Sequence, residues 1–373
     1  MFRYLLSLSI AFLFSALPAL PGAEPHPILP LGSAAPEFAL PGVDGKIHRL
    51  ADYAASPVLV IVFTCNHCPI AQLYEQRIQR LYDAYRDKGV ALVAIQPNAP
   101  EALRIDELDS SDMSDTLDEM KIRAAYKNLT YPYLYDGETQ AVARAYGPQA
   151  TPHVFVFDRD RRLRYEGRVD NSYRVELVKT QDARDAIDAV LAAKPVAVAH
   201  TGVFGCSTKW KEKETERLEA LHKLEETPVS LESASAEDLR KLRANPARKL
   251  TLVSFWETQC AACIQQFAGI EDTYRMYSVR GVDLVTVAVN PPGERAAVHQ
   301  ILEKQHATSR NLLLASGDTA SFEHATVPYT VLITPDGKFV YQKTGTVDML
   351  ELRRTILANI DWEYEGFRQY WAR

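Results

Sequence analysis

The sequence predicts an α/β protein built from two copies of one strand–helix plan. Three observations carry this. A mostly apolar run of strand length precedes each of two Cys-x-x-Cys pairs, a helical pattern follows each pair, and further on a proline opens a second apolar strand in each copy. In the first copy the run is Val58 to Phe63, then Thr64, then Cys-Asn-His-Cys; in the second it is Leu250 to Phe255, then four residues, then Cys-Ala-Ala-Cys. Such runs suit strands buried on both faces. Ile70, Tyr74, Ile78, Leu81 and Tyr85 then recur at spacings of four and three, as do Ile264, Phe267, Ile270, Tyr274 and Tyr277. Each cysteine pair is thus expected at a strand-to-helix junction, with its first cysteine as the helix N-terminal member.

The order downstream repeats as well. Strands are expected over Val90 to Ile95 and Val282 to Val289. Thr151-Pro152 precedes His-Val-Phe-Val-Phe, and Val327-Pro328 precedes Tyr-Thr-Val-Leu-Ile. Turns at Asp158 to Asp160 and at Pro335-Asp336-Gly337 close a hairpin in each copy. The first copy is longer by an acidic segment, Glu101 to Arg123, with eight acids against three bases. That charge reads as a solvated loop with a short helix, the alternative being a lid or docking surface.

The 373 residues predict two or three domains. A net charge of −6 provides no basic field for nucleic acid, and 24% charged with 47% apolar residues excludes bulk disorder. Arg3 is the only charge before Glu24, and Tyr4 to Leu17 is apolar apart from serines. Residues 1–23 therefore read as a cleaved secretory signal, with an uncleaved anchor as the alternative; the run is short for a bilayer span. A periplasmic or secreted protein is expected, with no membrane span after signal removal. A charged helical linker is expected over 209–227 and an aromatic tail over 361–373, the tail packing on its own domain.

Five cysteines are too few for a disulfide-stapled scaffold. The pairs lie far apart in sequence, each in its own context, which disfavours one shared zinc site, and Pro69 and Ile264 stand where haem attachment needs histidine. Dithiol/disulfide exchange fits best, because helix N-terminal N–H groups stabilise a thiolate. The catalytic residues expected are Cys65, Cys68, Cys260 and Cys263, with Cys65 and Cys260 as nucleophiles. His67 can place charge beside the Cys65 thiolate and make that couple the more oxidising, or simply be exposed. Glu257, three residues before Cys260, can move protons or be solvated. Cys206 is left over: an additional redox thiol, a mixed-disulfide partner of Cys65, or inert. No metal and no cofactor beyond the cysteine pairs are expected.

Strand, Cys-x-x-Cys, helix and a later Thr-Pro or Val-Pro together resemble the thioredoxin fold twice over. Residues 29–208 resemble its peroxiredoxin-like (AhpC/TSA) branch through FTCNHCP (63–69), YPYLYDGETQAVARAYG (131–147), ATPHVFVFD (150–158), GRVDNS (167–172) and GCSTKW (205–210). Residues 228–360 resemble TlpA-like thiol–disulfide oxidoreductases through SFWETQCAAC (254–263) and TVPYTVLITPDGK (326–338), with Gln259 where that family usually has Trp and Ala262 where it often has Pro. The resemblance implies two central mixed sheets flanked by helices. It also implies cis prolines at Pro152 and Pro328, preceded by Thr151 in the first copy, against the cysteine pairs. The peroxiredoxin Thr-x-x-Cys motif is absent: Val62 lies three residues before Cys65, and Cys65 three before Cys68. The expected function is disulfide exchange with envelope thiol or disulfide proteins, or between the protein's own domains. A thiol peroxidase and a redox-inert binding module are the alternatives.

Overall fold

The computed structural model describes residues 26–372 apart from 246, 316–318, 324 and 325. The expected signal segment lies outside the described residues. Two α/β layers are present, each a mixed sheet flanked by helices. The first sheet has the order Tyr133–Tyr135, Val90–Gln96, Val58–Phe63, His153–Phe157, Leu163–Gly167. Its first three strands run parallel and the last two antiparallel, with Phe63 opposite His153. The second sheet repeats this order and sense with Arg310–Leu314, Val282–Ala288, Leu250–Trp256, Tyr329–Ile333 and Phe339–Thr344. Glu232–Ala234 adds a sixth strand beside Arg310–Leu314.

The continuous apolar runs are explained by burial on both faces. Val58, Val60 and Val62 pack with Tyr74, Ile78 and Ile187 on one side; Leu59, Ile61 and Phe63 pack with Tyr146, Phe155 and Phe157 on the other. The second sheet does the same through Leu250 and Leu252 with Ile270 and Ile356, and Val253 and Phe255 with Phe322. The helices after the cysteine pairs span Pro69–Tyr85 and Ala261–Tyr277. Thr151-Pro152 and Val327-Pro328 are both cis.

The acidic segment departs from its expected role. It is clamped between the two halves, and Ser110, Ser111, Asp112 and Asp115 are fully buried. Asp112 accepts from Arg123 and from Arg354 of the second half, both at 2.7 Å. The Tyr277 hydroxyl donates to the Ser111 carbonyl at 2.6 Å, and Arg280 pairs with Asp109 at 2.8 Å. Ile105 and Leu108 pack on the second core. Its acids are therefore drawn inward by arginines from sequence-distant helices, which local charge counting does not register.

The tail also departs from expectation by serving both halves. Trp362 and Trp371 join the second core, whereas Tyr370 donates to Glu75 of the first half at 2.7 Å and accepts from Arg123 at 2.6 Å. Residues 209–227 contain the helix Glu214–Glu225, and Arg217 donates to the Glu101 carbonyl. That segment is docked rather than a free tether.

Candidate active site

Pro69 decides how the first cysteine pair is presented. Proline is favoured at the first helical position, where no N–H is needed. Cys68 therefore becomes the N-cap, and its sulfur accepts from the Ala71 N–H at 3.5 Å. In the second pair the helix starts at Ala261, so Cys260 is the N-cap and its sulfur accepts from the Cys263 N–H at 3.1 Å. The expectation that the first cysteine holds this position is thus met at Cys260 and not at Cys65. The helix field falls on Cys68.

The Cys68 sulfur is ringed by donors. The Cys206 backbone N–H donates to it at 3.2 Å, and the Cys206 and Cys65 thiols hydrogen-bond to it. Burial alone would raise the Cys68 thiol. The bonds from Cys206 and Cys65, the His67 charge and the Ala71 N–H outweigh burial and hold it well below the usual thiol range. The Thr151 carbonyl, 3.4 Å away, accepts from Cys68 when it is protonated and opposes the thiolate. Cys65 goes the other way. Burial, then the neighbouring Cys68 thiolate and Asp115, push its thiol well up, and its sulfur meets the Thr151 hydroxyl at 3.1 Å. Cys65, Cys68 and Cys206 are all free thiols.

His67 is not exposed, and a ring nitrogen lies within 4.8 Å of the Cys65 sulfur. It is buried, with Nδ1 at 2.6 Å from Asp115. Asp115 also accepts from the backbone N–H groups of Asn66 (2.8 Å) and His67 (3.0 Å), and from Asn98 (2.8 Å). Burial would lower the His67 pKa, but Asp115 and the Cys68 thiolate raise it; burial would raise Asp115, but His67 and its other donors lower it. The result is an imidazolium–carboxylate pair beneath the cysteine loop. Gln72 ties this loop to the acidic segment by donating to the carbonyls of Asn66 (2.8 Å) and Ser110 (3.1 Å).

Cys65, His67 and Asp115 each offer a donor atom within 4.8 Å of the others, a spacing open to a cation. The carboxylate, however, is already committed to four hydrogen bonds, and the arrangement reads as a hydrogen-bonded network. Asp115 and Asn98 were not legible as site residues. The one sequence signal near them is the Thr116–Glu119 capping box, which starts the helix Leu117–Lys127.

In the second pair, Cys260 and Cys263 form a disulfide. Cys263 is buried with Trp256 and Phe267, while Cys260 and Val327 pack on that cluster half-buried. The Glu257 carbonyl accepts from the Cys260 N–H at 3.2 Å. The two positions between these cysteines are Ala261 and Ala262, which carry no charge where the first pair has His67. The helix from Cys260 to Tyr277 spans about 25 Å, and only its far end meets the acidic segment behind the first centre. The two cysteine pairs therefore do not touch.

Residues 31–166 match the AhpC/TSA family. This AhpC/TSA match covers the first centre up to the strand Leu163–Gly167 and does not reach Cys206. Among curated proteins, the thiol-disulfide oxidoreductase ResA of Geobacillus thermodenitrificans is 27% identical over 136 residues, 36% of this chain and 67% of that protein. ResA of Bacillus subtilis is 30% identical over 101 residues, 26% of this chain and 55% of that protein. The chain thus spans about two thirds or less of these relatives. A solved structure of a conserved protein from Geobacillus kaustophilus is 39% identical, covering 49% of this chain and 93% of that one, with a TM-score of 0.44.

Proposed function

We propose that this chain is an exported thiol–disulfide oxidoreductase with two centres, in which Cys68 supplies the reactive thiolate of the first. The single observation that carries the reading is Cys68 at a helix N-cap beside the buried His67–Asp115 pair, because a thiolate so held is the form that exchanges disulfides. Stabilising that thiolate favours the reduced dithiol, so Cys65/Cys68 is the better oxidant and Cys260/Cys263 the better reductant. Export rests on the composition of residues 1–23, and no described helix is long and apolar enough to cross a membrane. Its partners are envelope thiol or disulfide proteins. Because the helix after Cys260 meets the first half at its far end, exchange between the two pairs runs through a partner or through undocking of the halves.

The experiment uses the full chain carrying Cys260→Ser and Cys263→Ser, so that the first centre alone reports. Reduction of a protein disulfide should be lost in Cys68→Ser. Activity unaffected by that change would refute the assignment. The AhpC/TSA match favours peroxide reduction as the second reading. Against it, Cys65 occupies the place where Thr-x-x-Cys would put its hydroxyl for Cys68. Sulfenic acid forming rapidly at Cys68 in micromolar peroxide would establish that reading instead.

A further inference from the structure

Cys68 and Cys65 are 0% and 2% exposed, so neither sulfur can meet the sulfur of a large partner as the site stands. The cover is the segment around Cys206. Cys206–Ser207 pairs antiparallel with Ala150–Thr151, setting Cys206 opposite Thr151 and its N–H on the Cys68 sulfur. The segment is pinned on both sides. Before Cys206, Phe204 packs against Tyr74 and Tyr173. After it, the Thr208 hydroxyl donates to the Pro148 carbonyl at 2.7 Å, the Lys209 N–H donates to Asn98 at 2.8 Å, and the Lys209 ammonium meets Glu107. Cys206 itself is half-buried, whereas Cys65 and Cys68 are buried.

We propose that Cys206 is the entry thiol of the first centre, through which partners exchange disulfides with the buried Cys68/Cys65 pair; this rests on the oxidoreductase reading above. The Cys206 thiol passes its proton to the Cys68 thiolate along their hydrogen bond, and the Cys206 thiolate attacks a partner disulfide. That S–S bond breaks and one partner thiolate leaves. Cys68 returns the proton to it and attacks the Cys206 sulfur, and the second partner thiolate leaves and takes a proton from water. The partner has gained two electrons, with one proton from Cys206 and one from water. The product is a Cys68–Cys206 disulfide. Attack of Cys65 on the Cys68 sulfur then forms Cys65–Cys68 and breaks Cys68–Cys206, with no net redox change; the Cys65 proton passes to the departing Cys206 thiolate, which is restored as the thiol. The order of events suits the local charges. The largest influence holding up the Cys206 thiol is its bond to Cys68, whereas for Cys65 it is burial, and Cys206 is the less buried of the two.

The test uses the full chain with Cys260→Ser and Cys263→Ser, fully reduced, and oxidised glutathione as the probe. Peptide mapping of acid-quenched samples should find the first glutathione adduct on Cys206 and then a Cys68–Cys206 pair. Cys206→Ser and Cys206→Ala should each slow thiol loss at least tenfold. A first adduct on Cys68, with both variants reacting at the parent rate, overturns the entry role and leaves the oxidoreductase reading standing. If no thiol of the cluster reacts with glutathione disulfide or with a protein disulfide, both readings fall together. The mapping is done with Cys206 intact, so it does not depend on how the variants fold.

Discussion

Replacing Asp115 with asparagine removes the charge that keeps His67 protonated while leaving a side chain of the same shape. Burial then favours the neutral imidazole, and Cys68 loses the cation next to it in sequence. A unit charge on the order of 6 Å away, at an effective dielectric constant of about 20, contributes roughly 2.8 kcal/mol, or about two pH units. The Cys68 thiol should therefore titrate higher, by less than the full two units, because the Asp115 anion, which disfavours a thiolate in this cluster, is lost together with the imidazolium. Thiolate absorbance at 240 nm, followed against pH with Cys260–Cys263 kept as the disulfide, isolates the first cluster. The first-centre potential should fall by up to ~60 mV, since about 30 mV corresponds to a tenfold change in a two-electron equilibrium. An unmoved absorbance midpoint in a folded Asp115→Asn protein would refute the claim that the His67–Asp115 pair holds the thiolate.

Three further outcomes follow from the geometry. Gly205→Ala sets a Cβ 2.0 Å from the Thr151 carbonyl at a φ of +141°, so the Cys206 segment should unseat and iodoacetamide should alkylate Cys68 at least tenfold faster, by peptide mapping. Arg354→Ala leaves the buried Asp112 with Arg123 alone and should cost about 1–3 kcal/mol in urea unfolding of the full chain. The His67 value is raised, so its stabilisation is complete below about pH 6.5 and is lost as pH climbs through the raised value. The Asp115 value is lowered, so its stabilisation is complete above about pH 4 and is lost as pH falls through the lowered value. The urea midpoints of wild type and Asp115→Asn should accordingly differ most between about pH 4 and 6.5; a constant difference from pH 3 to 9 would count against the pair.

What could be read from the chain was whatever local periodicity encodes. The runs ending at Phe63 and Phe255, the helices after each cysteine pair and the hairpin strands are all short-range patterns, and they stand where burial on two faces requires them. Pro69 was the overlooked local signal: a proline at the first helical position marks Cys68 as the cap, and with it the cysteine that receives the helix field. The rest was long-range. Asp115 is one of eight acids in a segment whose charge suggested solvation, and nothing beside it names His67, 48 residues back, as its partner. Cys206 reaches Cys68 only because a two-residue strand happens to pair beside Thr151, 55 residues earlier.

The clamp on the acidic segment also bears on how the chain can be taken apart. Tyr277, Arg280, Arg353 and Arg354 all grip residues 109–112, three positions ahead of the carboxylate that charges His67. A cut near residue 227 would strip away these four anchors and leave Asp112 with a single counter-ion in newly wetted surroundings. A potential measured on the excised first half would then describe a relaxed loop and a reset imidazole. The native couple belongs to the undivided polypeptide, and the two halves are better silenced by point substitution than separated by scission.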